Sequence, residues 1–132
     1  MSYSVRVLDH FRHPRHAGEL AGATAVVETS NPACGDVIKI WLRIEAGSIT
    51  DSTFKAAGCV PAIASGSWLV ERIRGATLGE AASISAEDIA TGLGGLPAAS
   101  RHAAQLAADA LRKALAAFER APERELHRPE GV

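Results

Sequence analysis

Along VIKIWLRIE, residues 37–45, apolar and polar side chains alternate. Ile38, Ile40, Leu42 and Ile44 fall on one side, and Lys39, Trp41, Arg43 and Glu45 on the other. A period of two predicts a strand with one buried face. TAVVETS (24–30) is rich in β-branched residues and predicts a strand before it, and ITDSTFKAA (49–57) predicts a third, with Phe54 and Ala56 on its apolar side. The short AGS segment (46–48) between the last two predicts a hairpin loop. Elsewhere the period lengthens. Val5, Leu8 and Phe11 predict a short helix over 3–11, stopped by Pro14 and Gly18. A second helix starts near Pro61, carries Ile63, Val70 and Ile73 on one stripe, and stops at Gly75. TLGE (77–80) and SAED (85–88) have the form of capping boxes and predict two short helices. After a loop at 91–97, a long helix over 98–121 gathers Ala103, Leu106, Ala107, Ala110, Leu111, Ala114 and Phe118 on one face.

Three consecutive strands followed by helices predict an α+β fold: a three-stranded antiparallel sheet with helices packed on one face. With no linker or repeat, residues 1–121 read as one domain, and the charged, Pro-containing stretch 122–132 as a flexible tail. The chain has 132 residues, 47% of them apolar, and a formal charge of −1. The apolar share argues against a disordered chain, and no global attraction to nucleic acid or to a membrane surface is expected. The apolar runs are far shorter than a membrane span. The N-terminus has no signal-type apolar stretch, so a cytoplasmic location with reduced thiols is expected.

Hairpin register adds candidate chemistry. If Glu45 opposes Ile49, paired positions sum to about 94. The two cysteines, Cys34 in NPACGD and Cys59 in AAGCVPAIASGS, then flank the open end of one hairpin, although they lie 25 positions apart. Asp36 sits at the same end. Cys59 precedes a helix start, where unsatisfied N–H groups favour a thiolate and predict a lowered thiol pKa. Gly35 and Gly58 let the backbone turn closely beside each sulfur. Three readings stay open at this point: inert buried thiols, a reversible disulfide, and two sulfurs with a carboxylate in a metal site. Asp36 taken alone fits a turn residue as well as a ligand.

The segments VLDHFRHPRHAGEL, NPACGD, GCVPAIASGSWLVERIRGATLGEA and GGLPAASRHAAQLAADALRKAL resemble, in this order, the iron–sulfur cluster assembly scaffolds of the IscU/NifU type. The likeness spans roughly residues 3–118. It implies a SufE/NifU-like fold and a scaffold rather than an enzyme. Such a protein receives sulfur from a cysteine desulfurase, assembles a labile [2Fe–2S] cluster from iron, passes it to apo-protein acceptors, and can hold Zn²⁺ in the same pocket. Cys34, Asp36 and Cys59 then become ligands, and His102 matches a family histidine at the start of the last helix. The third family cysteine follows that histidine, and here the position is Ala103, which can neither carry sulfur nor bind iron. Cys34, Asp36, Cys59 and His102 still number four, enough for a tetrahedral Zn²⁺ site or a mixed-ligand, easily lost cluster. The alternative for His102 is a solvated surface group; His10, His13 and His16 read as surface groups near the N-terminal turn, and His127 carries no argument.

A second departure concerns partners. The family's Leu-Pro-Pro-Val-Lys segment, read by an Hsp70-type chaperone, is Leu96-Pro97-Ala98-Ala99-Ser100 here, so chaperone contact lacks most of its motif. The competing function is a non-assembling regulatory module that docks on a cysteine desulfurase or another partner. A thiol–disulfide role for Cys34 and Cys59 is weakened by the absence of a C-x-x-C pair. SGS (65–67) lies inside a predicted helix and GLGG (92–95) follows no strand, so neither a nucleophile elbow nor a phosphate loop is indicated.

Overall fold

The computed structural model describes residues 3–31, 33 and 35–120. Strands β1 (Ala25–Asn31), β2 (Asp36–Glu45) and β3 (Ser48–Ala57) form an antiparallel sheet in that order. Ile38, Ile40 and Leu42 are fully buried on the inner face, as the alternation predicts. Burying a side chain of this size contributes about 1.5–3 kcal/mol. The β2–β3 register pairs Val37 with Ala57 through Arg43 with Asp51, the predicted sum of 94. Beyond Arg43 it shifts, so that Ile44 faces Ile49 and Glu45 faces Ser48. The predicted three-residue loop is therefore a two-residue turn plus a bulge at Thr50. The turn is Ala46-Gly47, with φ of 53° and 79°, the doubly left-handed form that matches strand twist.

Helix α1 (Val5–Arg12) is capped by Ser4, whose hydroxyl accepts from Val7 N–H at 3.0 Å. Helix α2 (Val60–Ile73) and the long α5 (Arg101–Arg120) cover the inner face of the sheet. Gly66 of α2 lies against Phe54 of β3: a Cβ there would come within 2.6 Å of the ring. The short helices α3 (Leu78–Ala82) and α4 (Ala86–Gly92) start at the two predicted capping boxes, Thr77/Glu80 and Ser85/Asp88. A single 3-10 turn, Ala98–Ser100, leads into α5, so the predicted last helix begins in a tighter winding. The apolar face predicted for α5 is buried from Ala103 to Ala114, and Phe118 packs partly buried at its end.

Two packing details depart from the periodicity. Ile63 is half-buried, beside Phe11 and Pro14, instead of sharing the core with Val70 and Ile73. Trp41, on the nominally polar face, is 7% exposed, and the Lys39 ammonium stands 5.1 Å from its ring centroid. Long cationic stems and a flat ring cover that face without a second layer of helices. Residues 16–18 shield the outer edge of β3, with Gly18 N–H donating to Phe54 O at 2.8 Å and Phe54 N–H to His16 O at 3.2 Å. The predicted tail, 122–132, lies outside the described residues.

Candidate metal centre

Three elements begin at one rim of the sheet. Asp36 opens β2, Cys59 is the N-cap of α2, and His102 is the second residue of α5. Cys59 has the extended backbone of an N-cap, and its side chain caps nothing. The cap comes from across the hairpin. Asp36 Oδ1 accepts the Cys59 N–H at 3.0 Å, which puts a carboxylate at a helix start, where negative charge is favoured.

The other carboxylate oxygen is shared. Asp36 Oδ2 lies 3.2 Å from Cys59 Sγ, which donates its hydrogen, and 3.2 Å from His102 Nε2. The far side of the ring is fixed as well: Nδ1 is 3.1 Å from Ala99 O. A carbonyl only accepts, so Nδ1 carries a hydrogen. A neutral ring would then set the lone pair of Nε2 against that of Oδ2. An imidazolium resolves the contact, and so does a cation between the two atoms. Among the described residues, the donor atoms of Asp36, Cys59 and His102 all lie within 4.8 Å of one another. A tetrahedral ion with bonds of about 2.0–2.3 Å sets its ligands roughly 3.3–3.7 Å apart. The trio fits a single ion with small adjustments.

Asp36 is 1% exposed, whereas His102 and Cys59 are half-buried. All three line an open cleft of about 360 Å³ shared with Tyr3, Gly58, Pro61, Ala99 and Ser100. The thiol differs from expectation. Burial pushes the Cys59 pKa up, the Asp36 carboxylate pushes it further, and the amide of Ala62 at the helix start opposes them without prevailing. A helix start taken alone leaves out the burial of the sulfur and also the acid, which sequence places 23 residues away. A cation held there would reverse the balance, because the ligand it takes from Cys59 is the thiolate.

Cys34 lies outside the described residues. Among the described residues on either side, Asn31 Oδ1 accepts from Ala33 N–H at 3.1 Å and Asn31 O accepts from Gly35 N–H at 2.8 Å. Ala103 is fully buried beside His102 and supplies no donor. His13 and His16 are exposed, as predicted. His10 is not a surface group: it is 8% exposed, and its Nδ1 is 2.7 Å from Ser67 Oγ at the α1–α2 contact. The wheel of a helix of eight residues, with Val7 buried beside it, holds the only signal for that burial. Tyr3 and Ser100, which border the cleft, and the Ala99 carbonyl that orients His102 do not stand out in the sequence.

Comparison with known proteins places this geometry in context. The family model of the NifU-like N terminal domain matches residues 2–125. The chain is 42% identical over 113 residues to an iron-sulfur cluster assembly scaffold protein IscU 1 of Archaeoglobus fulgidus, covering 86% of this chain and 74% of that one. It is 39% identical over 122 residues to the iron-sulfur cluster assembly scaffold protein IscU of Haemophilus influenzae, covering 89% and 96%. In fold it matches the crystal structure of a putative iron-sulfur cluster assembly scaffold protein for the SUF system from Fervidobacterium islandicum. The TM-score is 0.73 at 23% identity, over 86% of this chain and 96% of that one.

Proposed function

The chain belongs to the NifU-like N-terminal domain family, and from that premise we propose that it is a scaffold on which iron, or a labile [2Fe–2S] cluster, is held and then passed to apo-proteins. The observation that carries this reading is the single carboxylate oxygen, Asp36 Oδ2, that faces both the Cys59 thiol and the His102 imidazole at 3.2 Å. Cys59 supplies a thiolate, Asp36 an oxygen whose partner atom is tethered to the Cys59 amide, and His102 a nitrogen oriented by Ala99 O. Cys34 is the fourth ligand. Zn²⁺, which takes S, N and O donors in a tetrahedron, suits the same set. The sulfur source is a cysteine desulfurase and the recipients are apo-proteins. The protein works by holding and releasing its cargo rather than by turning over a substrate.

Mixed ligation weakens the hold. Carboxylate is a poorer donor than thiolate for iron that already carries sulfide, and a partly open cleft leaves the cargo accessible. Both favour transfer. Anaerobic incubation of the thiol-reduced protein with ferric iron and sulfide, which together balance to [2Fe–2S]²⁺, tests the reading. The expected result is visible-range absorption that appears with the wild type, is lost with Cys34→Ala or Cys59→Ala, and moves to an apo-ferredoxin on mixing. A protein that takes up neither iron nor cluster, yet binds a cysteine desulfurase, would instead be a regulatory docking module. The donorless, fully buried Ala103 beside His102 is the observation favouring that second reading.

A further inference from the structure

We propose that Gly58 is a positioning residue for the metal centre: lacking a side chain, it admits the Asp36 carboxylate into the orientation that reaches Cys59 and His102 together. This rests on the reading of the trio as ligands. Gly58 follows β3 directly and lies across the hairpin from Asp36. A Cβ built on it would fall 2.0 Å from Asp36 Oδ1, 2.9 Å from Cγ and 3.0 Å from the Asp36 main chain. The first approach is more than an ångström inside van der Waals separation. It cannot be relieved by a small movement, because Asp36 is almost wholly enclosed and Oδ1 is held by the Cys59 N–H. The carboxylate would have to rotate, and rotation carries Oδ2 away from both Sγ and Nε2. The glycine thus serves the ligand oxygen, not the sulfur next to it in sequence.

Gly58 also has φ of +126°, so any L-residue there is strained regardless of Asp36. Gly75, after α2, separates the two effects: its φ is +83° and a Cβ on it would meet nothing within 4 Å. G75A carries backbone strain alone, and G58A carries strain plus the collision.

The test compares wild type, G75A, G58A, D36A and G58A/D36A. In metal-free protein at one pH, the ¹⁵N resonance of His102 Nε2, which faces Asp36 but is remote from residue 58 in sequence, is expected to shift in G58A as it does in D36A and to stay in place in G75A. Co²⁺ titration, followed by its ligand-field absorption, is expected to show about 10- to 100-fold weaker binding in G58A, wild-type binding in G75A, and no further loss when D36A is joined to G58A. The double variant should also regain part of the excess loss of thermal midpoint in G58A over G75A. Recovery stays partial because the Asp36 main chain, 3.0 Å from the new methyl, is still there in D36A. A wild-type His102 resonance in G58A, or fully additive losses in G58A/D36A, would overturn the proposal. If G58A does not fold, recovery of folded protein in G58A/D36A supports the collision, and equal failure of both overturns it. If wild type takes up no Co²⁺ while the His102 resonance still follows residue 58, the metal reading fails and the positioning role stands.

Discussion

The two ends of the β2–β3 hairpin are built from different materials. At the closed end the main chain satisfies itself. Ile49 N–H donates to Ala76 O at 2.8 Å, Gly75 N–H to Ile49 O at 2.8 Å, and Leu78 N–H to Gly47 O at 3.1 Å. At the open end a side chain does that work: Asp36 caps the Cys59 amide and leaves its second oxygen to a thiol and an imidazole. A backbone-locked end needs no particular side-chain chemistry and offers none. An end locked by a buried carboxylate keeps a charge there that can also serve as a ligand. Division of labour along one hairpin lets the fold stay firm while its rim stays reactive.

Four changes would break or sharpen that contrast. The largest removes what both ends share. Phe54→Ala empties the middle of the hairpin under Gly66 and is expected to lower the unfolding free energy by about 3–5 kcal/mol; urea unfolding with an unchanged m-value measures it. Next comes the open end. Cys59→Ala should weaken Co²⁺ binding more than about 100-fold, beyond the range of an outer-sphere change, while stability moves by less than about 1 kcal/mol. Equal losses in both would mean that the rim is structural. At the closed end the pattern inverts: Gly47→Val forces a β-branched residue to φ of 79° in open space and should cost about 1–2 kcal/mol with Co²⁺ affinity unchanged. The smallest effect lies away from both ends, at the α1–α2 contact over the middle of the hairpin. Burial lowers the His10 pKa, with Arg15 adding to it. Ser67 Oγ accepts the Arg15 N–H at 2.9 Å and lies 2.7 Å from His10 Nδ1, a contact that a neutral ring satisfies as acceptor of the hydroxyl hydrogen. The unfolded chain therefore takes up this proton first. Stability is full above about pH 6.5 and is lost as the pH falls through the lower folded-state value. Thermal midpoints between pH 8 and pH 5 should fall further for wild type than for His10→Gln.

Much of this is readable in the sequence, for identifiable reasons. Alternation in 37–45 fixes the face of β2, and the two capping boxes fix the starts of α3 and α4, because both depend on side chains within a few residues of each other. The register sum places Asp36 and Cys59 at one rim, since antiparallel pairing is simple arithmetic. Sequence reading fails where a neighbour distant along the chain intervenes. Its helix alone would acidify the Cys59 thiol, and burial of the sulfur by the folded chain, with Asp36 adding to it, reverses that. Adjacency ties Gly58 to the sulfur beside it, whereas the glycine serves a carboxylate across the sheet. His10 reads as a surface group because its partner Ser67 lies 57 residues away. Trp41 departs for a local reason instead: alternation assigns it to the polar face, and Lys39, two residues before it, stands over the ring.

The donors Asp36, Cys59 and His102 stand at the first or second positions of a strand and two helices, or immediately ahead of one. Element ends open more often than their middles, on free-energy scales well below that of whole-domain unfolding. An ion gripped from three such termini loses a tooth whenever any one of them frays. Its dwell time would then be set by the quickest of three local openings, and hydrogen exchange at the amides of 36–38, 60, 62 and 102–104 would give the clock against which cargo release should be timed.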